Sequence, residues 1–108
     1  MSNSDLNNPE NQKLVILATN TLARSGAKSA AALRDTTGRT YVAINVSTST
    51  LNLDSLEAVL TVALASGISG IEAVVATGEK PMNSKAILEF APTAALFFSD
   101  AAGAVVAL

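Results

Sequence analysis

DSLEAVLTVALASGISGIEAVVAT, residues 54–77, reads as a helix, a short turn and a strand. Asp54, or Asn52 just before it, is a helix-capping residue type. Leu56, Val59, Leu60 and Ala63 then recur at helical spacing. Gly67 ends the helix near Ser66. From Ile71 to Thr77 the pattern changes to a strand, with Val74 and Val75 continuous and apolar, as in strands buried on both faces. A helix feeding such a strand is the unit of an α/β domain with a partly parallel sheet.

Working downstream, Gly78 to Pro81 is a loop, Asn83 or Ser84 starts a short helix through Phe90, and Pro92 stops it. Ala94 to Ser99 is another strand. Asp100-Ala101-Ala102-Gly103 turns the chain into a short last strand, Ala104 to Leu108. Upstream, Ser29 to Arg34 and Thr40 to Val46 are strands flanking the turn signal Asp35-Thr36-Thr37-Gly38, which makes them a hairpin. Ser47 to Thr50 is a polar break. A first helix runs from Pro9 to Ser25, capped by Asn8, opened by Pro9 and Glu10 and stopped by Gly26. Its apolar face carries Leu14, Leu17, Ala18, Thr21 and Leu22. The order α-β-β-α-β-α-β-β predicts a three-layer α-β-α domain with a mixed five-stranded sheet. It occupies residues 9–108, and residues 1–8 are expected to be a disordered or frayed tail.

At 108 residues the chain fits one compact domain. Hydrophobic residues make up 49% and charged residues 15%, too apolar for disorder. The apolar runs break well before the ~20 residues that span a bilayer, so no membrane role is expected. The N-terminus lacks the basic and apolar segments of a signal peptide, so a cytoplasmic setting is the default. Net charge is −2 and the basic residues are scattered. A phosphate-neutralising surface is absent, and no role with nucleic acid is expected. Much of the apolar fraction is alanine and valine. Such small side chains predict that part of the apolar surface is covered by another chain. No G-x-G-x-x-G or Walker pattern occurs, and Gly38 and Gly67 are turn and helix-stop residues.

Three stretches resemble the cytidine deaminases. Asp35-Thr36-Thr37-Gly38-Arg39-Thr40-Tyr41 resembles that family's turn between its first two strands. Asn45-Val46 resembles the start of its sugar-contacting Asn-Val-Glu-Asn. Pro81 followed by Ile87-Leu88-Glu89-Phe90 resembles the helix after its Pro-Cys-x-x-Cys. The element order is the same across nearly the whole ordered chain. The family opens its second helix with His or Cys, any residue, then Glu, and that Glu moves protons. Here Ser55-Leu56-Glu57 falls there, so Glu57 keeps the acid/base position and Ser55 replaces a zinc ligand. The two later cysteines fall on Met82 and Lys85, or on Lys80 and Asn83 when Glu89-Phe90 sets the register. The chain holds no cysteine and no histidine. Zinc sites are built from thiolate, imidazole and carboxylate, and deamination needs zinc to bring bound water to a pKa near ~7. No cofactor and no metal are therefore expected.

Each candidate residue also has a plainer reading. Glu57 is an acid/base or a first-turn carboxylate favoured by the helix dipole. Lys85 replaces the lost cation and pairs with Glu57, activates Ser55 as a nucleophile, or is a solvated helix residue. Asn45 holds a sugar hydroxyl, or bonds its own backbone at a strand end. Met82 fills core or interface space. Three functions follow: a non-catalytic deaminase-like scaffold for assembly or interaction, a metal-free nucleoside or nucleotide binder using Asn45, or an enzyme built on Ser55, Lys85 and Glu57. The resemblance implies a homodimer or homotetramer.

Overall fold

The structure is a computed structural model that describes residues 7–81, 83–100 and 102–108. The first helix, α1, spans Pro9–Ser25, as its punctuation predicts. The Asn8 side chain accepts from the Glu10 N–H at 2.9 Å, and the Gly26 N–H donates to Leu22 O at 3.1 Å. The strands are β1 (Ser29–Asp35), β2 (Thr40–Ile44), β3 (Val46–Ser47), β4 (Asn52–Leu53), β5 (Ile71–Gly78), β6 (Ala95–Ser99) and β7 (Val105–Ala107). Helices α2 (Ser55–Ala65) and α3 (Lys85–Phe90) complete the chain.

The main sheet has five strands in the order β2-β1-β5-β6-β7. β1 pairs antiparallel with both β2 and β5, β5 pairs parallel with β6, and β6 pairs antiparallel with β7. β1 is buried along its whole length. Its run Ala30-Ala31-Ala32 lets helices approach closely on both sides, because alanine adds almost no height to the sheet. On one face α1 sets Leu14 and Ala18 against Ala32, Ala73, Val75 and Phe97. On the other, α2 and α3 set Leu56, Val59, Leu60, Ala63 and Ile87 against Ala31, Leu33, Val74 and Leu96.

Most element ends lie within a residue or two of the sequence reading, and the end of β2 and the tail depart from it in kind. β2 ends at Ile44, not Val46. Val46–Ser47 leaves the main sheet and pairs with Asn52–Leu53 as a separate two-stranded hairpin. The polar break between them is a turn held by Thr48, whose hydroxyl accepts from Leu51 N–H at 2.9 Å and Thr50 N–H at 3.3 Å. Local side-chain bonds of this kind compete with strand ladders and end them. The tail assigned to residues 1–8 falls mostly outside the described residues, and Asn8 within it is a buried helix cap.

Gly78 closes β5 with φ +89°, and a Cβ there would stand 2.4 Å from Lys28 O. The position admits only glycine. It lets the chain after β5 fold back against the α1–β1 loop, where Glu79 N–H donates to Lys28 O at 2.9 Å.

Candidate functional site

The carboxyl end of β5 carries a loop, Glu79 to Pro81, and the adjacent start of β1 and end of β2 lie at the same end of the sheet. Ligand sites of α/β sheets form at carboxyl strand ends. Here an open cleft of about 790 Å³ lies between that loop, the α1–β1 loop, the β3–β4 hairpin and the start of α2. Asn45, Asn52, Asp54, Glu57, Lys80 and Asn83 line it.

Glu57 stands at the third position of α2. Its Oε1 accepts from the Asp54 N–H at 3.0 Å, and its own N–H donates to Asp54 Oδ1 at 2.8 Å. This is a reciprocal capping box, which satisfies two backbone donors that the helix itself leaves open. The other oxygen, Oε2, receives a long contact from Asn83 Nδ2 at 3.5 Å. Glu57 therefore lines the cleft and caps α2 at once.

Ser55 opens α2 and is fully buried. Its Oγ has no hydrogen-bond partner among the described residues. A buried hydroxyl left so costs about 1–3 kcal/mol. Lys85 is exposed at the start of α3 and does not line the cleft. Neither the pairing with Glu57 nor a bond to Ser55 forms: the described ion pairs are Lys13–Glu10 and Arg34–Glu72. The physical reason lies in the loop after Pro81, where Asn83 Oδ1 accepts the Lys85 N–H at 3.0 Å. That turn keeps Asn83 beside Glu57 and leaves Lys85 facing solvent. Of the two registers weighed for the cysteine positions, the structure thus brings Lys80 and Asn83 to the cleft. Met82 lies outside the described residues.

Asn45 follows β2 at the cleft wall. Its Oδ1 accepts from the Ser29 N–H, and its N–H donates to Ser29 O, both at 3.2 Å. The side chain clasps the neighbouring strand rather than its own backbone. The Nδ2 group makes no hydrogen bond among the described residues and is the donor Asn45 can offer a ligand.

Zinc, which this fold family implies, does not fit these groups. Its protein ligands are thiolate, imidazole and carboxylate. The place ahead of Glu57 offers a hydroxyl, Asn83 offers an amide, Lys80 offers an ammonium that repels cations, and Asp54 and Glu57 each give one carboxylate oxygen to the cap. Among the described residues no three His, Cys, Asp or Glu side chains gather.

One polar cluster escaped the sequence reading. Arg34 Nε donates to Glu72 Oε1 at 2.7 Å and its Nη2 to Asn11 Oδ1 at 3.0 Å, all beneath α1. Partners separated by 23 and 38 positions leave no local signal. A second hollow holds Asp35, whose carboxylate organises the β1–β2 turn. It accepts from the Thr37 hydroxyl at 2.7 Å and from the Thr37 and Arg39 N–H groups at 2.9 Å. Burial pushes its carboxyl up. The Thr37 hydroxyl, the two N–H groups and the Arg39 charge outweigh that and hold it below its usual value.

A five-stranded mixed sheet between one helix and two, with a polar cleft at the carboxyl end of β5, defines the class: a three-layer α/β domain of the deaminase type. The family model for cytidine deaminase-like proteins matches residues 7–103, and the chain belongs to that family. Among solved structures it is similar to the cytidine deaminase from Burkholderia pseudomallei. That match has a TM-score of 0.74 at 19% identity and covers 90% of each chain. It is also similar to the cytidine deaminase from Mycobacterium leprae, with a TM-score of 0.66 at 18% identity, covering 95% of this chain and 94% of that one. No curated protein matches the sequence. No helix among the described residues is long and apolar enough to cross a membrane.

Proposed function

We propose that the chain is a non-catalytic cytidine deaminase-like protein that serves assembly or interaction, in a cytoplasmic setting. The observation that carries this reading is the engagement of Glu57. One oxygen completes the cap of α2, the other faces Asn83, and the position two residues before it is a sealed hydroxyl. A general acid or base needs a reacting group to exchange protons with. In the family's chemistry that group is metal-activated water, and this chain has no cysteine and no histidine to hold the metal. Val62 and Leu64 on α2, and Leu88 and Phe90 on α3, stand exposed on the outer side of the helical layer and support an interaction role. Metal analysis of the purified full chain, with a cytidine-hydrolysis assay, tests the reading. Zinc far below one equivalent and no turnover are expected. Zinc near one equivalent, or turnover lost in Glu57→Gln, overturns it.

The cleft favours a second reading, a metal-free nucleoside binder. Its volume suits a small ligand, and Asn45 Nδ2 is available at its wall. A nucleoside at one hundred times its Kd would raise stability by about 2.7 kcal/mol, seen as a shift in Tm. Such a shift, lost in Asn45→Ala, would place this reading first.

A further inference from the structure

We infer that the hollow at the other end of the sheet from the cleft is a second ligand site, suited to a free α-amino acid. Asp35 takes the ligand's ammonium and Arg39 its carboxylate. The inference goes beyond the assembly reading and does not depend on it.

The cleft adjoins the start of β1 and the end of β5. The hollow lies beyond the end of β1 and before the start of β5. It holds about 360 Å³, within the range of small-ligand sites. The β1–β2 turn forms one wall and the α2–β5 loop the other. Thr36 N–H donates to Gly70 O at 3.2 Å and draws the two together.

Asp35 supplies the negative side. The residue is only 3% exposed. All of its hydrogen bonds fall on one oxygen, Oδ1. Oδ2 accepts none among the described residues, yet it is not one of the sealed polar atoms. An oxygen that is neither bonded nor sealed faces the hollow that Asp35 lines. The carboxyl titrates below its ordinary value, so it is charged at neutral pH. Buried charges are normally fully bonded, and this one keeps an acceptor for an incoming donor.

The end of α2 adds to that side. Ser66 and Gly67 line the same hollow, and their carbonyls accept no hydrogen bond among the described residues. The carboxyl end of a helix carries partial negative charge. A primary ammonium, with its three donors, meets both a carboxylate oxygen and a helix end here.

Arg39 supplies the positive side. It is exposed, lines the hollow and belongs to neither of the described ion pairs. Its backbone N–H is bonded to Asp35, which anchors the residue without using the guanidinium. Opposite charges therefore line one small hollow without forming an ion pair. A guanidinium holds a carboxylate through two parallel bonds. A ligand that is only cationic is repelled by Arg39, and one that is only anionic by Asp35. An α-amino acid carries both groups on one carbon, and Tyr41 and Ile68 leave a wall for its side chain.

The test titrates each common amino acid into the full chain in the millimolar range and follows backbone amide signals by NMR. At least one is expected to give saturable shifts at Thr37, Arg39, Gly67 and Ile68, with the signals of the cleft unmoved. Arg39→Gln is expected to weaken that binding about tenfold, the loss of one charge-assisted contact, and Arg39→Lys to restore part of it. The Arg39 side chain makes no hydrogen bond or ion pair among the described residues, so both variants keep the fold. Ethylamine and propionate each carry one of the two charges, and each is expected to bind about tenfold more weakly than the amino acid. No saturable shift with any amino acid overturns the inference. So do shifts confined to the cleft, or binding unchanged in Arg39→Gln. An equal response to ethylamine overturns it as well, because the hollow is then a simple cation site. Zinc content and turnover decide the non-catalytic reading separately.

Discussion

The two faces of the sheet are held by different chemistry. Beneath α2 and α3 the contact is apolar, with Leu56, Val59, Leu60 and Ile87 on Leu33, Val74 and Leu96. Beneath α1 the apolar patch sets Leu14 and Phe97 among Ala18, Ala32, Ala73 and Val75, and the buried Arg34 and Asn11 form a polar clasp with the half-buried Glu72 beside it. The first face is specified by side-chain volume, the second by the geometry of a guanidinium. The cleft draws on the start of α2 from the first face, and so the helix that shapes it is fixed by packing and by its cap.

Leu56→Ala is expected to have the largest effect on this contrast. It empties a fully buried site and should cost about 4 kcal/mol, read by denaturant unfolding, a large part of the ~5–15 kcal/mol available to such a domain. Arg34→Met should cost about 3 kcal/mol, near the low end for a broken buried pair because the Glu72 side chain is 30% exposed. The double variant Arg34→Met, Glu72→Met should recover much of that loss, since no charge is then left unpaired. If the double variant is no better than the single one, the clasp is not electrostatic and the contrast fails. Asp54→Ala removes the cap of α2 and should cost about 1 kcal/mol. Glu57→Gln keeps a capping-box residue type and should change stability by only a few tenths of a kcal/mol. A much larger loss would mean the carboxylate charge does more than cap.

Asp35→Asn probes the turn instead of either face. The folded carboxyl titrates below its ordinary value of 3.8, so its stabilisation is complete above that value and fades as pH falls through the folded one. The stability gap between wild type and Asp35→Asn should therefore be widest near neutral pH and shrink in acid. A gap that grows on acidification would reverse the assignment.

Much of the fold was readable because its signals are local. Asn8, Pro9 and Gly26 bracket α1, and Asp54 and Gly67 bracket α2 closely. The apolar, β-branched residues after Gly70 read as a strand buried on both faces, and all but Glu72 and Gly78 of β5 are buried. The β3–β4 hairpin was not legible, since strands of two residues have no periodicity and Thr48 sets the turn by side-chain bonds. The site was legible in part. The family's motifs, through the resemblance, marked Glu57 and Asn45 as candidates. They could not reveal that Asn45 clasps Ser29, sixteen positions away, or that Asn83, not Lys85, stands beside Glu57. Those contacts are made by loops whose paths depend on tertiary packing.

The capping box of α2 has a consequence for how such proteins drift over time. Replacing a residue used only for chemistry costs nothing once the chemistry is gone. Glu57 has a second employment, because the first turn of α2 unravels more easily without it. Selection for folding alone would retain a glutamate or a glutamine there. On the non-catalytic reading, a motif search that scores this glutamate as a mark of activity would be counting a residue that holds the helix end. In any domain of this type, the residues that close no cap are the more faithful record of whether catalysis is still under way.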